Sequence, residues 1–130
     1  VSESDEHKAI VRYFRDKWPH YQLSLRVSAN GIHRGKGQAA MRRIAKEKAH
    51  GFITGESDIS ILLPRGGFGS LIIEHKAGDA ARGATESQRE YLDYHNTIGN
   101  CACETRGIAM AIAAIDTYMS LPNITQQVSL

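Results

Sequence analysis

Residues 58–76 read DISILLPRGGFGSLIIEHK, and this stretch decides the fold. Two β-rich runs, Asp58–Leu63 and Ser70–Lys76, flank the turn-forming segment 64–69. That spacing predicts a hairpin of two antiparallel strands. With the turn centred near Gly66 and Gly67, Asp58 falls opposite the segment from Glu74 to Lys76. Glu74 and Lys76 are two apart and share a strand face, while His75 takes the other. A register of 58 against 74 or 76 brings Asp58 to that same face. Three charged groups then converge beside an apolar sheet, which is costly unless they pair or hold a metal. An Asp and a Glu-X-Lys in isolation most often form an exposed ion pair at a strand end. Here Leu71-Ile-Ile73 runs straight into Glu74, and Ile59, Ile61, Leu62 and Leu63 follow Asp58. Such two-sided apolar runs belong in the middle of a sheet, where stray charges are rare, so the functional reading is preferred.

Two carboxylates suit a hard ion such as Mg²⁺ or Mn²⁺, to which the backbone carbonyl of His75 could add a ligand. Such an ion polarises a phosphodiester and lowers the pKa of a water. Lys76 is placed to orient that water and to offset charge in the transition state. Metal-assisted phosphodiester hydrolysis is the expected chemistry, with Asp58 and Glu74 as metal ligands.

Outward from the hairpin, Glu3–Trp18 reads as an amphipathic helix with Ile10, Val11, Phe14 and Trp18 on one side, Ser2 as N-cap and Pro19 as its stop. Gln22–Ser28 alternates and is expected to be a strand with Leu23, Leu25 and Val27 inward. Residues 29–37 read as a loop, and Gln38–His50 as a basic helix closed by Gly51. Thr85–Ile98 is a helix ended by Gly99, Asn100–Glu104 a short strand, and Thr105 the cap of a final Ala-rich helix to about Ser120. The order α, β, α, β, β, α, β, α implies an α/β domain with a small mixed sheet flanked by helices.

Composition agrees with one domain. The 130 residues are 42% hydrophobic and 23% charged, an ordinary globular balance. Residues 1–121 are assigned to a single domain and 122–130 to a loose tail. The apolar run 108–115 is far below the ~20 residues a bilayer span needs. The acidic opening is unlike a secretory signal, and two cysteines exclude a disulfide scaffold. A cytoplasmic setting is expected, with Cys101 and Cys103 as inert buried thiols. Arg65-Gly-Gly-Phe-Gly69 lacks the Lys-Ser/Thr of a phosphate-binding loop. The six histidines show no zinc-ligand spacing.

Charge is uneven. Residues 1–50 hold 11 Lys/Arg against 5 Asp/Glu, and residues 51–130 hold 5 against 9. Arg34, Lys36, Arg42, Arg43, Lys46 and Lys48 make a basic stretch interrupted only by Glu47. In a nuclease these six residues would contact DNA phosphates, giving affinity without reading sequence. Few aromatics accompany them, so stacking on a single strand is not indicated.

Gly55-Glu-Ser-Asp58, Ile73-Glu-His-Lys76, Ser87-Gln88 and Tyr91 together resemble the PD-(D/E)xK nuclease superfamily, and within it the VRR-NUC (virus-type replication-repair nuclease) branch. Ser2-Glu3 opening the first helix and Ala29-Asn-Gly31 after the first strand extend the resemblance, which runs from Ser2 to about Tyr118. It implies a restriction-endonuclease-like core, metal ligation by Asp58, Glu74 and the His75 carbonyl, and Lys76 as the catalytic lysine. Gln88 becomes the motif glutamine and Glu3 the N-terminal acidic residue, acting through water. Ser57 replaces the usual proline, and His7 stands where a glutamine is expected, which leaves Glu6 as the alternative to Glu3. Gln88 also has a local explanation, because Thr85-Glu-Ser-Gln88 is a capping box. The resemblance further implies a homodimer that resolves four-way (Holliday) DNA junctions with Mg²⁺ or Mn²⁺, needs no small-molecule cofactor or membrane, and belongs to a phage or its bacterial host. The alternative is a non-catalytic DNA-binding module on a nuclease fold.

Overall fold

A computed structural model describes residues 2–28 and 37–123. Helix α1 (Glu3–Lys17) leads through a 3-10 helix (Pro19–Ser24) to strand β1 (Leu25–Val27). Helix α2 (Gln38–Ala49), strands β2 (Ile59–Ile61) and β3 (Leu71–Lys76), helix α3 (Glu86–Thr97), strand β4 (Cys101–Arg106) and helix α4 (Ile108–Ser120) follow. The strands form one sheet in the order β1-β2-β3-β4. The first three run antiparallel to their neighbours, and β4 runs parallel to β3. This is the expected mixed α/β sheet flanked by helices.

Alternation along the strands gives the sheet two different faces. Ile59, Ile61, Leu71 and Ile73 point one way and pack against Ile10 and Phe14 of α1 and Ala111, Ile115 and Tyr118 of α4. On the other side Ile72 and Ala102 pack against Leu92 and the flank of Tyr91 on α3. The second patch is smaller. Near one end of that face it gives way to Asp58, Glu74 and Lys76.

The hairpin register is Ile59 with Ile73 and Ile61 with Leu71, which continues to Asp58 opposite Glu74. Arg65 and Phe68 exchange backbone bonds across Gly66 and Gly67, whose φ values of 59° and 89° are those a tight hairpin turn asks of both central residues. Both β2 and β3 are interior strands, as their apolar character requires.

Three local expectations are corrected. Gln22–Ser28 is not one strand: the chain after Pro19 coils as a 3-10 helix through Ser24, with Tyr21 N–H donating to the Trp18 carbonyl. Leu23 is consequently 98% exposed, and of the three alternating residues only Leu25 packs against the core. The second strand stops at Ile61, leaving Leu62 exposed. Thr105 is not a helix cap. Parallel pairing with β3 carries β4 through Arg106, Thr105 is paired with His75, and Gly107 takes the N-cap position of α4.

Pro122 still touches the body, accepting the Gly66 N–H at 2.8 Å. Cys101 and Cys103 are half-buried free thiols, and burial pushes the Cys103 thiol up to about 11. Among the described residues no helix is long and apolar enough to cross a membrane.

Candidate active site

A cleft of about 390 Å³ opens at the charged end of the sheet. It is lined by Asp58 and Glu74 from the hairpin, Thr85, Ser87 and Gln88 from the start of α3, and Glu3 from the start of α1. Gly55 sits at its base with φ +83°, and a Cβ there would lie 2.5 Å from the Ser87 carbonyl. Only glycine lets the approach to β2 lie so tightly against α3.

Glu74 is the most constrained group in the cleft. Its residue is 1% exposed, and its Oε1 is buried with no hydrogen-bond partner. Burial first, and the hydrogen-bonded Asp58 carboxylate next, push its carboxyl up to about 9, against the opposing pull of Lys76. Lys76 Nζ lies 3.7 Å from Glu74 Oε2 and donates to Gln88 Oε1 at 3.1 Å. Asp58 Oδ2 accepts the backbone N–H of His75 at 3.0 Å, so the strand itself fixes the position of that carboxylate.

The two readings of Gln88 prove compatible. Its Oε1 accepts the Thr85 N–H at 2.8 Å while its own N–H donates to Thr85 Oγ1 at 3.3 Å, which is the capping box. The same Oε1 takes the Lys76 ammonium, so the cap of α3 also orients the lysine.

Glu3 and Glu6 part company despite sharing a helix face. Glu3 lines the cleft, whereas Glu6 lies behind β3. Glu6 Oε1 meets His75 Nε2 at 2.9 Å, and Glu6 Oε2 accepts the Gly78 N–H at 3.0 Å. His75 Nδ1 meets Thr105 Oγ1 at 2.8 Å. The His75 imidazole is therefore enclosed on the far face, and only its backbone can serve the cleft. The Gly78 and His75 bonds hold the Glu6 carboxyl below the ordinary carboxylate range. Its contribution to stability is then complete above the ordinary value of 4.5 and is lost as the pH falls through the lowered one. Replacing Glu6 by alanine leaves a buried imidazole and a backbone N–H without their acceptor. The expected result is a Tm lower by more than about 5 °C at pH 7, with the deficit shrinking towards pH 3, read by circular dichroism melts.

The basic stretch is only partly described. Arg34 and Lys36 lie outside the described residues. Arg42, Arg43, Lys46 and Lys48 are all exposed on α2, and Lys48 lines the cleft. Tyr91 stays with the α3 packing and stacks near His95, ring centroids 4.4 Å apart, so it does not line the cleft. Sequence reasoning missed Glu56, a buried carboxylate in the cleft lining that pairs with Arg26 of β1. It also missed Phe52 and Ile53, which form part of the wall. No periodicity marks these residues, since tertiary placement alone brings them there.

No protein-family model and no curated protein matches the chain. A solved structure of a VRR_NUC domain protein does. The two superpose with a TM-score of 0.79 over 95% of this chain and 92% of that one, at 22% identity. The chain has a VRR-NUC fold. The expectation of this fold, formed on the sequence motifs, holds. In this chain the hairpin and the start of α3 bring Asp58, Glu74 and Gln88 to the cleft lining, with Lys76 beside it, bound to Gln88 and near Glu74.

The donor set of the cleft fits a hard divalent ion. Glu74 Oε1 is a buried oxygen lacking a partner beside a second carboxylate, an arrangement that a cation would satisfy. Among the described residues no three His, Cys, Asp or Glu side chains form a ready cage. Few protein ligands suit Mg²⁺, which keeps several waters and takes one or two carboxylates.

Proposed function

We propose that this protein is a metal-dependent endonuclease that hydrolyses phosphodiester bonds in branched DNA, with the four-way junction as substrate and a homodimer as the acting form. The buried, unpaired Oε1 of Glu74, on a carboxylate that has Asp58 and Lys76 as neighbours, is the observation that supports this reading most. Asp58 and Glu74 would hold Mg²⁺ or Mn²⁺, with the His75 carbonyl as a further ligand and Glu3 acting through water. When bound, the ion supplies Lewis acidity to the phosphodiester and acidity to a water.

The chain's own groups do the rest. Lys76, anchored by Gln88, orients the nucleophilic water and offsets the negative charge that builds on the phosphoryl oxygens. The N-terminus of α3, capped by Thr85, adds a partial positive charge at the cleft. Arg42, Arg43, Lys46 and Lys48, with Arg34 and Lys36, hold backbone phosphates without reading bases. Two subunits would present two such clefts to opposed strands, inside a bacterial cell or a phage-infected host.

The test is incubation of the purified protein with a labelled four-way junction and a matched linear duplex in Mg²⁺, Mn²⁺ or EDTA. Paired nicks in the junction, present with either ion and absent with EDTA, are expected. Equal cleavage of both DNAs would keep the nuclease and remove junction selectivity. Binding without a cut in either metal would make the protein a DNA-binding module.

A further inference from the structure

Phosphodiester chemistry leaves one part of the cleft unexplained. Besides its carboxylates, the cleft is lined by Ile44 of α2 and by Phe52 and Ile53 of the segment leading to β2. Phe52 is 43% exposed and Ile53 56%. A continuous duplex offers a protein charged phosphates and sugars, while the flat apolar faces of its bases are hidden in the stack. An exposed aromatic ring in the same cleft as carboxylates suited to a divalent ion matches a base only after that base has left the stack. Lys48 lines the cleft too, so a cation for the nucleotide's phosphate and an apolar surface for its base occur together. The volume of about 390 Å³ lies in the range of small-ligand clefts.

Resting on the nuclease reading above, we propose that the cleft takes one unstacked nucleotide, its base against Phe52 and Ile53 and its phosphate toward Lys48 and the divalent ion that Asp58 and Glu74 would hold. The preferred substrate then carries an unpaired or easily unpaired nucleotide beside the scissile bond. The cost of unstacking is least for a nucleotide that is already unpaired. Stacking on an aromatic side chain returns about 5- to 100-fold in affinity.

The experiment compares two fluorescein-labelled DNAs, a continuous duplex and the same duplex with one extrahelical nucleotide. Anisotropy is read with Ca²⁺ in place of Mg²⁺, and cleavage of the same DNAs is followed separately in Mg²⁺. Wild type is expected to prefer the extrahelical DNA by about 5- to 100-fold. In Phe52→Ala that ratio falls toward 1, and Phe52→Trp keeps it. Phe52→Gln replaces the alanine variant if the latter melts early. A ratio near 1 in wild type, or a ratio unchanged in Phe52→Ala, overturns the proposal, and cleavage in Mg²⁺ then decides the nuclease reading by itself. A Phe52-dependent preference without cleavage keeps the base site and removes the nuclease. A Phe52→Ala variant whose sedimentation shifts to a smaller species with an unchanged ratio assigns the ring to a subunit contact and overturns the base site.

Discussion

Replacing Lys76 by alanine is expected to lower DNA cleavage by at least about 10²–10³-fold, the usual cost of removing one preorganised charge-stabilising donor. Little else should change. Gln88 Oε1 keeps the Thr85 N–H, so the cap of α3 survives, while the Lys76 side chain is only 13% exposed and its truncation should lower Tm modestly. Glu74 loses the nearby cation that pulls its carboxyl down. DNA affinity, Tm and the far-ultraviolet spectrum measured beside the cleavage rate separate this outcome from misfolding. A variant that still cuts at the wild-type rate would remove Lys76 from the chemistry.

Replacing Glu74 by glutamine should abolish cleavage and divalent-ion binding, yet leave a protein that is more stable than wild type at alkaline pH. The sign follows from proton linkage. The Glu74 carboxyl stands at about 9 in the fold against an ordinary 4.5. Between these values the native chain holds a proton that the unfolded chain has released, so stability falls as the pH rises through the window. Glutamine keeps the shape and carries no such penalty. The Tm of wild type should therefore decline relative to Glu74→Gln from pH 5 to pH 9. Adding Mn²⁺ should restore wild type alone, most strongly at the alkaline end where the ion no longer competes with a proton. Thermal melts across pH, with and without Mn²⁺, measure both effects. Parallel profiles for the two proteins would mean that Glu74 is ionised in the fold without cost.

The part of the site that could be read from the sequence is the part made by short-range rules. Strand alternation and a six-residue turn are enough to put Asp58 on the face of Glu74 and Lys76 and to send His75 to the other, while the choice of 74 over 76 as its partner came from the pairing itself. The capping box at Thr85 is equally local, and it carries Gln88 with it. What escaped is set by packing at a distance. Glu3 and Glu6 are one turn apart on the same helix and have the same chemistry. Only the seating of α1 behind β3 gives Glu6 to His75 and Glu3 to the cleft. Thr105 ahead of an Ala-rich run looks like a cap until a parallel neighbour extends its strand. Leu23 alternates like a strand residue, but Pro19 starts a 3-10 helix that turns it to solvent.

The hairpin has one more consequence, for the order in which the molecule assembles. Asp58 meets the backbone of His75 only 17 residues further along, so the loop that must close is short. Glu6 reaches His75 across 69 residues. Since closure entropy grows with loop length, the ends of β2 and β3 can find each other while α1 is still searching. The acidic pair is thus held by a short loop, and the amino-terminal helix closes a much longer one at its rear. That makes the Asp58–His75 link a far more local contact than the one by which Glu6 holds the same histidine.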